Sequence, residues 1–488
     1  MEINLEKARN YVKNHQKNFN SRFRLNYHLM APLGWMNDPN GLICFRGQYH
    51  AFYQFHPYSK DWGPMHWGHA TSPDMVHWQN QPVALAPGEE FDQGGCYSGS
   101  AVDYHGQLAL VYTGHVFDDP QNNDPFSPDF RQMQNLALSQ DGINFTKFAD
   151  NPIIPLPPQD NDRNFRDPKV WFQNGEWNLI VGSSANNVGR TLIYRSPDLK
   201  HWKYLGVLAT SAGELGSMWE CPDFFTLDGC AVQTFSPVGI KAQGDKYQNV
   251  FQTGALVGKY DYQKNEFNHG AFNELDKGHD FYAVQTFQTA DGRRVAIGWM
   301  NMWQTPMPEK LDNWAGAFTL PRELRVQNGQ VTMQPIEELK SLRQEVLLSK
   351  NNFQLESQQE LLTLAGNSAE ILLRIPLRQQ LAAPKIGFKL IDRKQQPILS
   401  FVYDRSEGKL VLNRYQADGI RKAAVTDLTE LDLQIFVDKS SVEIFVNHGQ
   451  ATFTSRIFPT SDLGLALTGQ DQAEIDQLQI YRLAQVIE

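Results

Sequence analysis

The sequence predicts an all-β protein, a five-bladed β-propeller followed by a C-terminal antiparallel β-sandwich. The first observation is a long series of short apolar or alternating runs, such as residues 49–55 and 177–181. The second is that turn pairs separate them, among them Arg46-Gly47, His105-Gly106 and Asn174-Gly175. Short runs between such turns are typical of β-hairpins. The third is that helical periodicity is scarce between a short polar helix predicted at 4–17 and about residue 335.

The hairpins recur in larger units. Ser72-Pro73-Asp74 returns as Ser196-Pro197-Asp198, and a weaker copy surrounds Asp141. We expect the three aspartates of this repeat to cap turns. A second series marks the start of each unit, at intervals of 56 to 71 residues: Asp38, Cys96, Asp167, Asp223 and Asp280. Units of this size, with about four short strands each, are typical of propeller blades, so five starts predict five blades.

The composition changes after the fifth unit. Tryptophan is absent beyond Trp314, and alternating strands such as the hairpin at 433–449 follow a short helical pattern near residue 336. Strands with alternation and few helices favour a β-sandwich. We therefore divide the chain into an N-terminal helix and propeller (1–335), a linking helix (336–344) and a sandwich domain (345–488).

Charge and cysteine content restrict the partners. The net charge of −10 argues against a nucleic acid or an anionic membrane as the main partner. The four cysteines form no C-x-x-C pair, and His66 and His69 have no third ligand at an obvious spacing. The sequence therefore predicts no metal and no cofactor. The expected partner is a small sugar, and a homodimer is a further interpretation.

The N-terminus favours an intracellular protein. Residues 1–10 contain no apolar signal core, and no run of about 18 apolar residues follows. We predict a cytoplasmic protein with no membrane span. A secreted protein whose signal peptide has been removed would have the same sequence.

Three acidic residues stand in turn-rich segments beside proline, an aromatic residue or arginine. They are Asp38 in Trp35-Met36-Asn37-Asp38-Pro39, Asp167 in Arg166-Asp167-Pro168, and Glu220 in Trp219-Glu220-Cys221-Pro222. A residue directly before proline is held out of the helical region. Because the innermost strands of a propeller surround one funnel, acids from different blades can meet there although they are far apart in sequence.

Carboxylates that meet in a sugar-sized pocket are what a glycosidase needs, one to attack or stabilise the sugar and one to protonate the leaving oxygen. Asp38 suits the nucleophile, since Asn37 and the following turn can donate hydrogen bonds that keep it charged. Glu220 suits the acid/base, because burial beside Trp219 and Cys221 is expected to raise its pKa. Asp167, beside Arg166, is expected to stay ionised and to bind sugar hydroxyls, provided that a bulge or turn lets both side chains line the funnel.

These three segments resemble the signature blocks of glycoside hydrolase family 32, the β-fructofuranosidases, and the resemblance extends over nearly the whole chain. It implies a five-bladed propeller with a β-sandwich, with Asp38 as nucleophile, Glu220 as acid/base and Asp167 as transition-state stabiliser. It also implies that these residues contact the substrate: Trp35, Asn37, Gln54, Trp62, Tyr97, Ser98, Arg166 and Trp299. Tyr97 stands where many family members have phenylalanine and is expected to keep an aromatic wall.

The resemblance implies a retaining hydrolase of terminal β-D-fructofuranosides, such as sucrose, sucrose 6-phosphate or short fructo-oligosaccharides. Two other functions remain open from the sequence. A fructosyltransferase would use the same covalent intermediate and pass the fructosyl unit to a sugar instead of water. A non-catalytic carbohydrate-binding propeller would lack at least one of the three acids, and all three are present.

Overall fold

The computed structural model describes residues 4–16, 22–119, 121–122, 124, 127–355, 360–377, 385–425, 428–469 and 473–486. In these ranges, strands account for most of the regular structure. No helix in them has both the length and the apolar character needed to cross a membrane.

The only α-helix in the described residues is α1, Leu5–His15. Asn4 caps it, since its side-chain oxygen accepts a hydrogen bond of 2.9 Å from the Lys7 amide. Ala8 is fully buried, and Arg9 donates a hydrogen bond of 2.9 Å to the Val83 carbonyl. The helix predicted at 4–17 is therefore present and packs against the first blade.

Five antiparallel sheets follow in chain order, each beginning with its innermost strand. The first contains β1 (Gly34–Phe45), β2 (Gln48–His56), β3 (His66–Ser72) and β4 (Gln79–Leu85). The second contains β5 (Gly95–Tyr104), β6 (Gln107–Phe117), β7 (Phe130–Ser139) and β8 (Thr146–Lys147). The third contains β9 (Phe165–Gln173), β10 (Glu176–Ala185), β11 (Val188–Ser196) and β12 (Lys203–Thr210).

The fourth and fifth sheets complete this part of the molecule. The fourth contains β13 (Met218–Leu227), β14 (Cys230–Val238), β15 (Gly254–Asp261), β16 (Glu266–His269) and β17 (Asn273–Glu274). The fifth contains β18 (Tyr282–Gln288) and β19 (Arg294–Trp299), followed after β20 (Trp314–Ala315) by β21 (Arg322–Gln327) and β22 (Gln330–Pro335). Strand β20 leaves the fifth sheet and pairs in parallel with β1.

The five sheets form a closed ring. Each innermost strand contacts the next in the order β1, β5, β9, β13 and β18, and β18 contacts β1 again. The pairing of β20 with β1 ties the end of the ring to its beginning. The predicted five-bladed propeller is therefore confirmed.

Two-residue turns join the first two strands of four blades. Both residues have positive φ in Arg46-Gly47, His105-Gly106, Asn174-Gly175 and Asp228-Gly229. This backbone conformation matches the twist of a tight hairpin and explains the glycine at the second position. These repeated turns are what makes the blade period visible in the sequence.

The two repeated series of acidic residues have different roles. Asp74, Asp141 and Asp198 each accept two backbone hydrogen bonds from the residues two and three positions ahead, as predicted for turn caps. The residues of the second series, which were expected to mark the start of each blade, mostly do not precede the innermost strands. Asp38, Cys96, Asp167 and Asp223 lie inside innermost strands, and Asp280 alone precedes one.

A short connection separates the propeller from the second part of the chain. The segment predicted as a linking helix at 336–344 is a 3₁₀-helix over Glu337–Leu342, with the Leu339 amide bonded to the Ile336 carbonyl. Seven residues separate the strand that ends at Pro335 from the strand that begins at Arg343, so the segment has room for only about two turns of 3₁₀-helix. Two other 3₁₀ turns lie at Pro308–Asp312 and Ala365–Asn367.

Two six-stranded antiparallel sheets form the sandwich, confirming that part of the predicted fold. One contains β23 (Arg343–Leu355), β25 (Ala369–Pro376), β30 (Glu430–Asp438), β31 (Ser441–Val446), β32 (Ala451–Arg456) and β34 (Ala473–Leu483). The other contains β24 (Glu360–Leu364), β26 (Lys385–Ile391), β27 (Pro397–Asp404), β28 (Lys409–Asn413), β29 (Ile420–Ala424) and β33 (Leu463–Thr468). Aliphatic residues and Phe388, Phe401 and Phe453 fill the space between them.

A buried ionic network joins the sandwich to the propeller. His28 contacts Asp438 at 2.8 Å and Glu443 at 2.9 Å, and all three side chains are inaccessible to solvent. Arg322 contacts Asp276 at 2.9 Å and Glu443 at 2.6 Å. These pairs satisfy charges that would otherwise be costly to bury, so they fix how the two parts pack.

Candidate active site

A pocket of about 490 Å³ opens at one end of the propeller funnel. Asp38, Asp167 and Glu220, from the first, third and fourth blades, all line it. The other lining residues are Asn37, Gln54, Trp62, Met65, Tyr97, Ser98, His115, Ser127, Pro128, Phe130, Gln132, Asn164, Arg166, Val238, Phe251, Tyr282, Trp303 and Gln304. The expectation that three distant acids meet in one funnel therefore agrees with the structure.

A bulge in every innermost strand turns these side chains inward. The pairing register shifts beside Asp38, Ser98, Asp167, Cys221 and Ala283, and the innermost strand of the first blade has a second shift between Asn40 and Ile43. Three of these residues also have positive φ, namely Asp167 at 68°, Cys221 at 48° and Ala283 at 53°. A bulge re-aims a side chain and interrupts strict alternation. This bulge lets the adjacent residues Arg166 and Asp167 both line the pocket, which was the condition stated from the sequence.

Polar groups surround the Asp38 carboxylate. Asn37 Nδ2 donates to one oxygen at 2.9 Å, and Ser98 Oγ donates to the other at 2.7 Å. The Cys221 thiol lies 3.6 Å from that second oxygen. Burial raises the pKa of Asp38 above its ordinary value, the hydrogen bonds oppose this shift, and the nearby charge of Glu220 adds to it. The predicted bonds from Asn37 are present, but burial outweighs them.

Glu220 is held at both oxygens. Arg166 Nη2 donates to Oε1 at 2.7 Å, and the Tyr282 hydroxyl donates to Oε2. Trp219 does not cover it, because its ring packs on Phe235 with centroids 4.0 Å apart. The prediction that Trp219 helps to bury the Glu220 side chain is therefore wrong, because adjacent residues on a strand point to opposite faces of the sheet. An arginine and a tyrosine define the setting of this acid instead.

Asp167 is the most deeply buried of the three acids, at 5% exposure. Its Oδ2 accepts a hydrogen bond of 2.8 Å from the Cys221 amide. Burial raises the pKa of Asp167 to about 7, against the opposing charge of Arg166 and with the help of Glu220 and Asp38. The carboxyl expected to be permanently ionised therefore takes up a proton more readily than an ordinary aspartate does.

The shifted pKa of Asp167 predicts a pH-dependent stability change. Above pH 7 the folded protein holds a buried charge that the unfolded chain solvates freely, whereas below the ordinary pKa of about 3.9 neither state is ionised. Stability is therefore lost as pH rises through this window. Asp167→Asn, which keeps an acceptor for the Cys221 amide, is expected to raise the melting temperature by a few degrees at pH 8 and much less at pH 4. Thermal unfolding of both proteins at the two pH values checks this, and an equal shift at both would contradict it.

Most of the predicted substrate contacts lie in the pocket wall: Asn37, Gln54, Trp62, Tyr97, Ser98 and Arg166. Trp35 and Trp299 do not. They are 2% and 0% exposed and pack on each other with ring centroids 5.8 Å apart. Trp303 stacks on Trp35 at 5.5 Å and presents its own ring to the pocket. Direct contact of Trp35 and Trp299 with the substrate stays a prediction. In the structure both rings lie behind Trp303 and support it.

Sequence reasoning missed Tyr282, Trp303 and His115. Tyr282 is buried at the start of the fifth innermost strand, next to the bulge at Ala283. His115 stacks on Tyr97 with ring centroids 4.2 Å apart, and burial lowers its pKa to about 3, so the ring is neutral. The blade repeat pointed to Asp280, two residues before Tyr282, as the matching position. Because the bulge at Ala283 comes from pairing with the neighbouring strand, no signal in the sequence identified Tyr282.

The contact between Tyr282 and Glu220 is testable. Tyr282→Phe removes one of the two groups that position the carboxyl, so kcat is expected to fall about tenfold while KM changes little. Tyr97→Phe is a matched control, because Tyr97 lies in the same pocket and stacks on His115 rather than bonding to an acid. Steady-state kinetics of both variants would decide the matter. Equal losses in the two, or a change confined to KM, would show that Tyr282 does not position Glu220.

Three blades contribute carboxylates to one pocket, which aromatic residues also line. These are the groups that a glycoside hydrolase needs. Comparison with known proteins agrees. The N-terminal domain model of glycosyl hydrolases family 32 matches residues 28–335, and the C-terminal model of that family matches residues 338–482. The chain belongs to glycosyl hydrolases family 32.

Individual relatives span nearly the whole chain. A sucrose-6-phosphate hydrolase of Escherichia coli is 45% identical over 92% of this chain and 92% of its own. A raffinose invertase of the same organism is 44% identical over 89% of this chain and 90% of its own. A solved Bombyx mori family 32 β-fructofuranosidase in complex with sucrose is 38% identical, with a TM-score of 0.89 and 99% coverage of both chains.

Proposed function

We propose that this glycoside hydrolase cleaves terminal β-D-fructofuranosides with retention of configuration. Asp38 attacks the anomeric carbon of the fructosyl unit while Glu220 protonates the departing oxygen, which gives a covalent fructosyl-aspartate. Glu220 then deprotonates a water molecule that releases fructose and regenerates Asp38. Asp167 accepts hydrogen bonds from the fructosyl hydroxyls and holds the ring in place.

The observation that carries the proposal is that Asp38 and Glu220 line the same pocket and influence each other electrostatically. Cys221, directly after Glu220, lies 3.6 Å from the Asp38 carboxylate. The two acids thus flank the space that a sugar would occupy. Ser98 and Asn37 orient Asp38, and Arg166 with Tyr282 orients Glu220.

Sucrose and sucrose 6-phosphate are the substrates that we propose first, with short fructo-oligosaccharides next. The names of the relatives support this choice, since they include a sucrose-6-phosphate hydrolase, a raffinose invertase and a β-fructofuranosidase in complex with sucrose. They also favour hydrolysis over the fructosyl transfer considered from the sequence. A cytoplasmic location and a homodimer stay predictions.

Hydrolysis of sucrose, sucrose 6-phosphate and inulin by the purified chain tests the substrate. Proton NMR during the first minutes of the reaction tests the stereochemistry, because retention releases the β-anomer of fructose first. No release of fructose from any of the three would reject the substrate class. Early appearance of the α-anomer would reject Asp38 as a nucleophile, since inversion needs no covalent intermediate.

A further inference from the structure

A second cavity lies on the propeller axis, beyond the catalytic pocket. Its volume is about 820 Å³. Along the innermost strands its residues follow those of the catalytic pocket by two to four positions, with four from Asp38 to Leu42 and from Glu220 to Phe224. Four strand residues span about 13 Å, so the cavity opens at the opposite end of the channel. Among the described residues, no lining residue is shared between the two.

Aromatic rings form much of the wall of this cavity. Trp171 packs against Phe224 with ring centroids 5.7 Å apart, and Phe224 meets Tyr260 edge to face at 5.1 Å. Phe172 at the rim is 58% exposed, although it is a large apolar side chain. Phe224 itself is buried, so the accessible apolar surface for a planar ligand comes from the exposed Phe172 and the half-buried Trp171 and Tyr260.

The cavity also holds an excess positive charge. Lys169 is neutralised by Asp223, which its ammonium contacts at 2.8 Å. Arg294 lies over the Phe225 ring, 4.8 Å from its centroid. No hydrogen bond or ion pair joins its guanidinium to any residue within the described ranges. The charge of Asp223 also attracts Arg294, but no ion pair joins the two side chains in the described part of the chain, where the second oxygen of Asp223 has no hydrogen-bond partner.

We propose that this cavity binds a small organic anion, one with a phosphate or carboxylate group on a planar apolar ring. A guanidinium presents parallel N–H donors that match two oxygens of such a group, and none of the residues that the structure describes accepts a hydrogen bond from Arg294. The ring of the ligand packs on Trp171, which lines the cavity and is half-buried. Lys259, an exposed residue that also lines the cavity, adds a second cation at the rim. This site does not depend on the proposed activity.

Isothermal titration of the full chain with phenyl phosphate tests the proposal. Phenyl phosphate is expected to bind at one site per chain with millimolar or better affinity, and Arg294→Gln is expected to weaken binding about tenfold or more. Arg131→Gln is a matched control, because it removes an exposed positive charge beside Asp118, in the second blade and away from this cavity. Its affinity is expected to equal that of the wild type. Phenol, which has the ring without the charge, is expected to bind equally weakly to all three proteins.

Three results would overturn the site: no binding of phenyl phosphate at millimolar concentrations, equal affinity in Arg294→Gln, or an equal loss in Arg131→Gln. The melting temperature of each variant is measured first. If Arg294→Gln does not fold, Lys259→Gln replaces it, since this lysine is exposed. A severalfold loss of affinity in that variant supports the site, and an unchanged affinity rejects it.

Discussion

Asp38→Asn is expected to lower kcat for sucrose about 10⁴-fold or more, because no other group in the pocket can form the covalent intermediate. The fold is expected to survive. The asparagine oxygen can accept from Asn37, and its amide can donate to Ser98, whose hydroxyl both donates and accepts. Stopped assays with sucrose, together with a melting curve, measure both effects.

Chemical rescue separates loss of the nucleophile from general damage. In Asp38→Gly, azide can enter the vacated space and attack the same carbon directly, giving the α-fructosyl azide. The matched control is Asp74→Asn, which changes an aspartate that only caps a turn on the first blade. Near-normal turnover of Asp38→Asn, or a comparable loss in Asp74→Asn, would remove Asp38 from its proposed role.

Glu220→Gln is expected to reduce sucrose hydrolysis by about 10³-fold, since proton transfer by a positioned group contributes 10² to 10⁴. A nitrophenyl β-fructofuranoside needs no protonation of its leaving group, so its first step is expected to survive. The second step, hydrolysis of the covalent fructosyl-enzyme, still needs a base that deprotonates water. The result is a burst of nitrophenol followed by slow turnover, which azide accelerates because it needs no base.

Replacing Glu220 by glutamine also changes the hydrogen bonds that this side chain makes, and a double variant controls for that change. Arg166 and Tyr282 both donate to Glu220, so the glutamine keeps both contacts only if its oxygen accepts from Arg166 and its NH2 group donates to the Tyr282 hydroxyl. Tyr282→Phe together with Glu220→Gln removes this reversed hydrogen bond. If the double variant recovers sucrose hydrolysis, or if Glu220→Gln slows both substrates equally with no burst, acid catalysis by Glu220 is refuted.

Local chemistry made much of the fold predictable. Turn pairs such as Asn174-Gly175 require positive φ at both residues, and they occur at the same place in successive blades. Asp74 and Asp198 accept hydrogen bonds from amides two and three positions away, so their role can be read within a few residues. The linking segment was harder, because one turn of 3₁₀-helix and one of α-helix have the same pattern of apolar residues.

The candidate site was only partly predictable. Contact of Trp35 and Trp299 with the sugar stays a prediction, and in the structure they lie behind Trp303. Tyr282 was not identified, although it contacts Glu220. Sequence gives the identity of an aromatic residue, but whether its ring faces a pocket depends on what packs behind it.

The all-β class, the number of blades and the three acids Asp38, Asp167 and Glu220 could be predicted from the amino-acid sequence, because they follow from turns, periodicity and motifs within short segments. The orientation and the charge of the acids depend on the folded molecule. The bulges at Asp167 and Cys221 arise from pairing with the neighbouring strands, and the raised pKa of Asp167 arises from burial by other blades. Register and burial are set by residues far apart in the chain, so no local pattern encodes them.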